Sequence, residues 1–171
     1  MVSLDATAGN RHIWGKNWDQ PVNRVVFLDI EPRLNRPPHV LADNQHLPFR
    51  DNVFKVVFFD PPWIPRILSR HNDPKENKGT YWGTPGRTRR ALVRLLIAGL
   101  CEFTRVSSRL CTKFGDFEIP RWNYEGLLKS CGWTIIHVKE YRSKAKRNSG
   151  KHKTMWLTAV KRRGDIKDGS I

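Results

Sequence analysis

Hydrophobic positions in this chain gather into short unbroken runs, and each run stops at an acid. Val2-Ser3-Leu4 ends at Asp5, Val25-Val26-Phe27-Leu28 at Asp29, Val40-Leu41-Ala42 at Asp43, and Val56-Val57-Phe58-Phe59 at Asp60. Apolar runs rich in β-branched and aromatic residues read as strands covered on both faces, the pattern of a parallel sheet. The run from Val53 to Phe59 is expected to be the central strand, closed by Asp60-Pro61-Pro62-Trp63. Proline fixes φ and donates no hydrogen bond, so Asp60 and the two carbonyls after it are held rigidly at the carboxyl end of that strand. Open α/β sheets bind ligands at that end, and parallel strands would set all four carboxylates along one edge.

The pattern changes further along. From Arg87 to about Ser107 it is helical, with Leu92, Leu95, Leu96, Gly99, Leu100 and Phe103 on one side and arginines mostly elsewhere. Arg109–Phe114 reads as a fifth strand, Trp122–Ser130 as a helix closed by Cys131-Gly132, and Trp133–Tyr141 and Thr154–Val160 as the last two strands. Between the early strands the connections are irregular. Trp14 and Trp18 lie four apart and would share a helical face packed on the sheet, whereas three prolines between Pro32 and His39 preclude a helix there. Asp51-Asn52 forms a turn, and Gly164–Ile171 is expected to fray.

A chain of 171 residues supports a single domain, 1–171, with one three-layer core. It lacks the roughly 20 consecutive apolar residues of a membrane span, and no apolar signal core follows Met1, so a cytoplasmic protein is expected. Cys101, Cys111 and Cys131 show no metal-ligand spacing and read as reduced, small core residues; no metal is expected. Charge alters the picture more. Residues 1–63 hold seven basic and seven acidic side chains, so the whole net charge of +15 falls after the Asp-Pro-Pro-Trp turn. A solubilising surface would mix both signs, whereas a polycationic part beside a neutral one points to nucleic acid as partner.

Two segments concentrate that chemistry. Residues 64–86 form a long stretch too polar and too rich in Pro, Gly and Asn for regular structure; it carries Arg66, Tyr81 and Trp82, a mixture suited to gripping a backbone and stacking a base. It is expected to be a mobile substrate lid. Residues 142–153 are a basic hairpin loop containing Lys144, Lys146, Arg147 and Lys151. Arg87, with the arginines that open the long helix, either binds phosphate or belongs to a solvated face.

At Asp60-Pro61-Pro62-Trp63 the sequence resembles the S-adenosylmethionine-dependent methyltransferases that modify exocyclic amino nitrogens, whose catalytic motif is Asp/Asn-Pro-Pro-aromatic. Asp5-Ala6-Thr7-Ala8-Gly9-Asn10 looks like their cofactor-binding first loop, although Asn10 and Arg11 stand where further glycines are usual. The closing strand Lys153–Leu157 is similar to that of small phage and prokaryotic members. The resemblance implies a Rossmann-like α/β fold with a seven-stranded sheet, its last strand antiparallel and inserted beside the fifth and sixth; the helix these enzymes usually carry before the first strand is expected to be lacking, since Val2 already opens that strand. The edge left there is then open, or a second copy or another subunit covers it.

The same resemblance implies S-adenosylmethionine held by Asp5, Thr7, Ala8 and Gly9, by Asp29 with Ile30, and by Asp43, Asn44 and Leu47. Asp29 follows Asp5 by 24 positions, near the interval at which nucleotide-binding sheets place a ribose-binding carboxylate; Glu31 is a neighbour that could take that role. A dinucleotide oxidoreductase shares the first two acids but has no use for the Asp-Pro-Pro-Trp turn. The expected activity is methyl transfer to adenine N6 in DNA. An RNA amino methyltransferase is the alternative, and a catalytically silent nucleic-acid-binding module is the alternative of another class.

Overall fold

A computed structural model describes residues 2–9, 12–14, 24–32, 34, 36–61, 89–115, 119–141 and 154–162. Each apolar run becomes a strand: β1 Val2–Asp5, β2 Val25–Asp29, β3 Val40–Leu41 and β4 Phe54–Phe59. After helix α1, Arg89–Val106, come β5 Arg109–Gly115, helix α2 Arg121–Ser130, β6 Trp133–Tyr141 and β7 Thr154–Lys161. The strands form one sheet in the order β3-β2-β1-β4-β5-β7-β6. β1 to β5 pair in parallel, while β7 inserts antiparallel between β5 and β6. This is the predicted seven-stranded α/β sheet with an antiparallel finish. β3 is shorter than expected; it is an edge strand joined only through Leu28–Val40 and Asp29–Leu41.

Register turns the four strand-end acids into one rim. Asp5 lies beside Phe27 of β2 and Phe58 of β4, and Asp29 lies beside Leu41 of β3. Parallel strands end together, so Asp43, Asp29, Asp5 and Asp60 follow one another along the carboxyl edge.

The main core cluster lies on one face of this sheet, and a smaller one, Ala8, Val25 and Phe27 with Trp14, lies on the other. Leu92, Leu96, Leu100 and Phe103 recur at three- and four-residue spacing on α1 and are fully buried, as an amphipathic helix laid on a sheet requires. Phe103 meets Phe59 edge-on with ring centroids 4.9 Å apart. Tyr124 and Leu128 of α2 cover the β5 side of the same face, where Tyr124 stacks on Phe114 at 4.8 Å and shares a 2.7 Å hydrogen bond with Thr112. Cys131 is buried as expected, whereas Cys111 is partly exposed and Cys101 is exposed. Cys101, although exposed, has its Sγ 2.6 Å from that of Cys131, just after α2. Among the described residues no helix is long and apolar enough to cross a membrane.

Arg105, in the last turn of α1, acts as a staple. Its guanidinium donates to the carbonyls of Leu47 (2.9 Å) and Phe49 (2.7 Å), to Asp51 (2.9 Å) and to Glu102. Glu102 in turn accepts the Leu47 N–H at 3.0 Å. The segment after β3 is thereby tied to the helix. Replacing Arg105 with Met should cost about 1–2 kcal/mol, allowing for partial solvent screening. Arg105→Lys should recover less than half of that, because an ammonium cannot reproduce the planar fork. Urea unfolding of the three proteins checks both values.

Candidate active site

The loop that leaves β1 is built from small residues because it threads between two strands. Ala6 donates its N–H to Phe58 O at 2.9 Å and Ala8 to Leu28 O at 3.0 Å, so alternate residues extend the ladders toward β4 and β2. Both alanines are buried. Gly9 then turns at φ +46°, and a Cβ built there would meet nothing within 4 Å. Glycine is favoured at that angle, and the space beside it is open. Its N–H donates to Asp29 Oδ2 at 2.8 Å, and the other Asp29 oxygen accepts Glu31 N–H at 3.0 Å.

Asp5 is the most deeply placed of the acids, with no exposed surface. Its Oδ2 accepts the Trp14 indole N–H at 2.7 Å and its Oδ1 the Thr7 N–H at 3.2 Å. Burial pushes its carboxyl up to about 7; the two hydrogen bonds pull it down, and the Asp60 and Asp29 charges push it further up. Trp14 packs edge-on against Phe58 (4.9 Å) and Phe27 (6.1 Å), the sheet-packing role expected of it. Asp5 is thus enclosed beneath the loop it was expected to serve from the rim, because the indole and Phe58 roof it over.

The rim further out is more accessible. Ile30 is 62% exposed next to Asp29, an apolar surface beside a carboxylate. Asp43 holds the following turn by accepting the Gln45 N–H at 2.9 Å and its amide. The Asn44 amide reaches Ala6 O at 3.5 Å, and its Oδ1 lies 3.3 Å from where a Cβ on Gly99 would stand. Glycine at this point of α1 therefore lets Asn44 lie against the helix. Leu47 departs from expectation. It is 6% exposed and part of the core cluster, because Glu102 and Arg105 draw its backbone onto α1; Ile30 and Leu41 are exposed apolar side chains beside Asp29.

Asp60 follows β4 at the centre of the rim. Its backbone N–H donates to Thr7 Oγ1 at 2.8 Å, which fixes the first loop to the Asp-Pro-Pro turn. Its Oδ2 accepts a hydrogen bond from Lys113 Nζ of β5 at 2.7 Å, with the carboxylate 18% and the lysine 30% exposed. Among the described residues no partner is recorded for Oδ1. Pro61 is buried behind it.

Lys113 is the member of the site that sequence reasoning missed. The available signal was a lone cation inside the apolar strand Leu110–Phe114, one residue beyond Thr112, which pairs with Phe59. Pro62, Trp63, Trp18, Arg66, Tyr81, Trp82 and Arg87 lie outside the described residues, as do Lys144, Lys146, Arg147 and Lys151. The strand ends that flank residues 142–153, Tyr141 and Thr154, pair with each other and with Gly115 at the Asp60 edge of the sheet.

No family model and no curated protein matches this sequence. Solved structures do match in three dimensions. A S-adenosylmethionine-dependent methyltransferase from Methanosarcina mazei aligns over 94% of this chain and 92% of its own, with 16% identity and a TM-score of 0.53. The 1,6-didemethyltoxoflavin-N1-methyltransferase of Burkholderia thailandensis, solved with its substrate and S-adenosylhomocysteine, aligns over 94% and 71% with 13% identity and a TM-score of 0.56. The fold is that of S-adenosylmethionine-dependent methyltransferases. The [4+2]-cyclase SpnF matches equally well, with 12% identity, coverage of 94% and 75% and a TM-score of 0.56. One fold thus accommodates different reactions, and the reaction has to be argued from the site.

Proposed function

We propose that this protein is a S-adenosylmethionine-dependent methyltransferase acting on the exocyclic amino nitrogen of a nucleobase, with adenine N6 in DNA as its preferred target. The observation that carries the reading is the joint between two loops: Thr7 of the small-residue loop holds the backbone N–H of Asp60 at 2.8 Å. A donor bound over the first loop and an acceptor held by Asp60 would then be neighbours.

The residues fit the cofactor. The positive φ of Gly9, with open space where a Cβ would stand, allows close approach of a ligand to the backbone. Asp29 suits ribose hydroxyls, exposed Ile30 suits one face of an adenine ring, and Asp43 with Asn44 suits its polar edge. Bound S-adenosylmethionine would supply an electrophilic methyl group on a sulfonium.

The chain's own contribution is positioning. An aromatic amine is a weak nucleophile because its lone pair is delocalised into the ring. Acceptors aimed at the amine hydrogens, Asp60 Oδ1 and the Pro61 carbonyl, favour a pyramidal nitrogen whose lone pair points at the methyl group. Lys113 keeps the second Asp60 oxygen occupied and the carboxylate aimed. Trp63, by the resemblance of its motif, would stack on the ring. Pre-set orientation and fixed dipoles supply most of the acceleration in such a scheme. A base within duplex DNA has to leave the stack before it can reach Asp60. The charge of +15 supports a polyanionic substrate over a small neutral one.

Incubation with S-adenosylmethionine and mixed DNA and RNA, followed by mass spectrometry of the nucleosides, tests the reading. N6-methyladenine in the DNA digest is expected. A methylated amino nucleoside from RNA alone would move the substrate to RNA. Cofactor binding by calorimetry without any methylated nucleoside would remove nucleobases from the substrate list.

A further inference from the structure

The two faces of the sheet are unequal in its β5-β7-β6 half. On the helix-covered face, Leu110, Thr112 and Phe114 of β5 and Met155, Leu157 and Ala159 of β7 are all buried. Arg109, Cys111 and Lys113 of β5 and Thr154, Trp156, Thr158 and Val160 of β7 face the other way and are partly or fully exposed. Partners across a ladder share a face, so the register sets Lys113, Trp156 and Lys139 in one row across three strands. The neighbouring row holds Cys111, Thr158 and His137, with a bulge at Ile136, which is 60% exposed. Arg109 stands exposed at the far end of β5. Among the described residues of these three strands this face carries no acid; Glu140 pairs with Met155 and so belongs to the other side.

We propose that this face, on which neither α1 nor α2 packs, is a docking surface for a single-stranded nucleic-acid segment, with Trp156 as the platform for one base and Arg109, His137 and Lys139 as contacts to its phosphates. The proposal rests on the nucleic-acid substrate reading given above and says where that substrate lies. With Lys113 engaged by Asp60, a tryptophan beside Lys139 and near Arg109 and His137 is a combination suited to an unpaired strand, since every base has a face to stack and every linkage a charge to meet. Strands about 4.8 Å apart make the Lys113-to-Lys139 row about 10 Å wide. The row is continuous with the active site, because Lys113 is the residue that holds Asp60. A second copy of this chain suits the face poorly, since two such faces would bring like charges together.

Fluorescence anisotropy with a dye-labelled single-stranded oligonucleotide tests this without methyl transfer. Trp156→Leu is expected to weaken binding about ten-fold with an unchanged salt slope. Arg109→Glu should weaken it and lower the salt slope by about one. Lys129→Glu, the same charge change on exposed α2, should shift affinity less than about two-fold. Equal losses for Arg109→Glu and Lys129→Glu with none for Trp156→Leu would overturn the proposal, leaving only a diffuse cationic field. So would a change in sedimentation on Arg109→Glu without a change in binding, which would make the face a self-interface. Failure of the unaltered protein to bind any oligonucleotide would overturn the nucleic-acid substrate reading as well. Tight binding insensitive to all three changes would overturn the surface alone.

Discussion

Asp60→Ala is expected to lower kcat/KM for methyl transfer by about 10²–10³, the cost of losing one preorganised polar contact at the reacting centre. Cofactor affinity should stay within about two-fold, because the first loop is held by its own bonds to β2 and β4 through Ala6, Ala8 and Gly9. Asp60→Asn separates the two properties of the carboxylate. An amide oxygen still accepts one amine hydrogen but gives Lys113 no counter-charge, so a loss of only about ten-fold is expected. Single-turnover rates with saturating S-adenosylmethionine, beside calorimetry for the cofactor, make the measurement. Unchanged turnover in Asp60→Ala would remove this carboxylate from the mechanism and with it the role argued for the Asp-Pro-Pro turn.

Asp5→Asn should flatten the dependence of stability on pH between about pH 4 and pH 7. The carboxyl of Asp5 is fully buried and pushed up to about 7, above its ordinary 3.8. A group raised in the folded state binds protons more readily there than in the unfolded chain. Its favourable contribution is therefore complete below about pH 4 and declines as pH rises to about 7, with a total on the order of 4 kcal/mol. Asn keeps the shape and an oxygen for the Trp14 indole and never ionises; its NH2 faces the Thr7 N–H, a loss that does not vary with pH. The difference in unfolding free energy between Asp5→Asn and the unaltered protein should thus grow from pH 4 to pH 7 and stay level above. A difference independent of pH would mean that Asp5 stays ionised in the folded state. The comparison has to be made between the two proteins at each pH, since a chain of net charge +15 also changes stability with pH through its overall repulsion.

What could be read from the residues alone was whatever has a short period. Unbroken apolar runs set the parallel strands, the spacing of Leu92, Leu96, Leu100 and Phe103 set α1, and acids at the run ends set the rim. Strand direction did the rest, because parallel strands carry their carboxyl ends to one edge whatever lies between them. The bounds of β3 were less legible: two residues at a sheet edge form strand only by pairing with β2, a contact far away in sequence.

The division of labour along the rim was decided by tertiary structure. Asp5, Asp29, Asp43 and Asp60 look alike in sequence, each an acid after an apolar run. Folding roofs the first with Trp14, binds the second to Gly9, turns the third onto Gln45 and pairs the fourth with Lys113. Those partners stand 9, 20, 2 and 53 residues away, so periodicity carries information about only the nearest of them. Leu47 went into the core for the same reason, drawn there by Glu102 and Arg105 from 55 and 58 residues along the chain. Local sequence determined that acids would line one edge; burial and long-range pairing decided which of them remain available to a ligand.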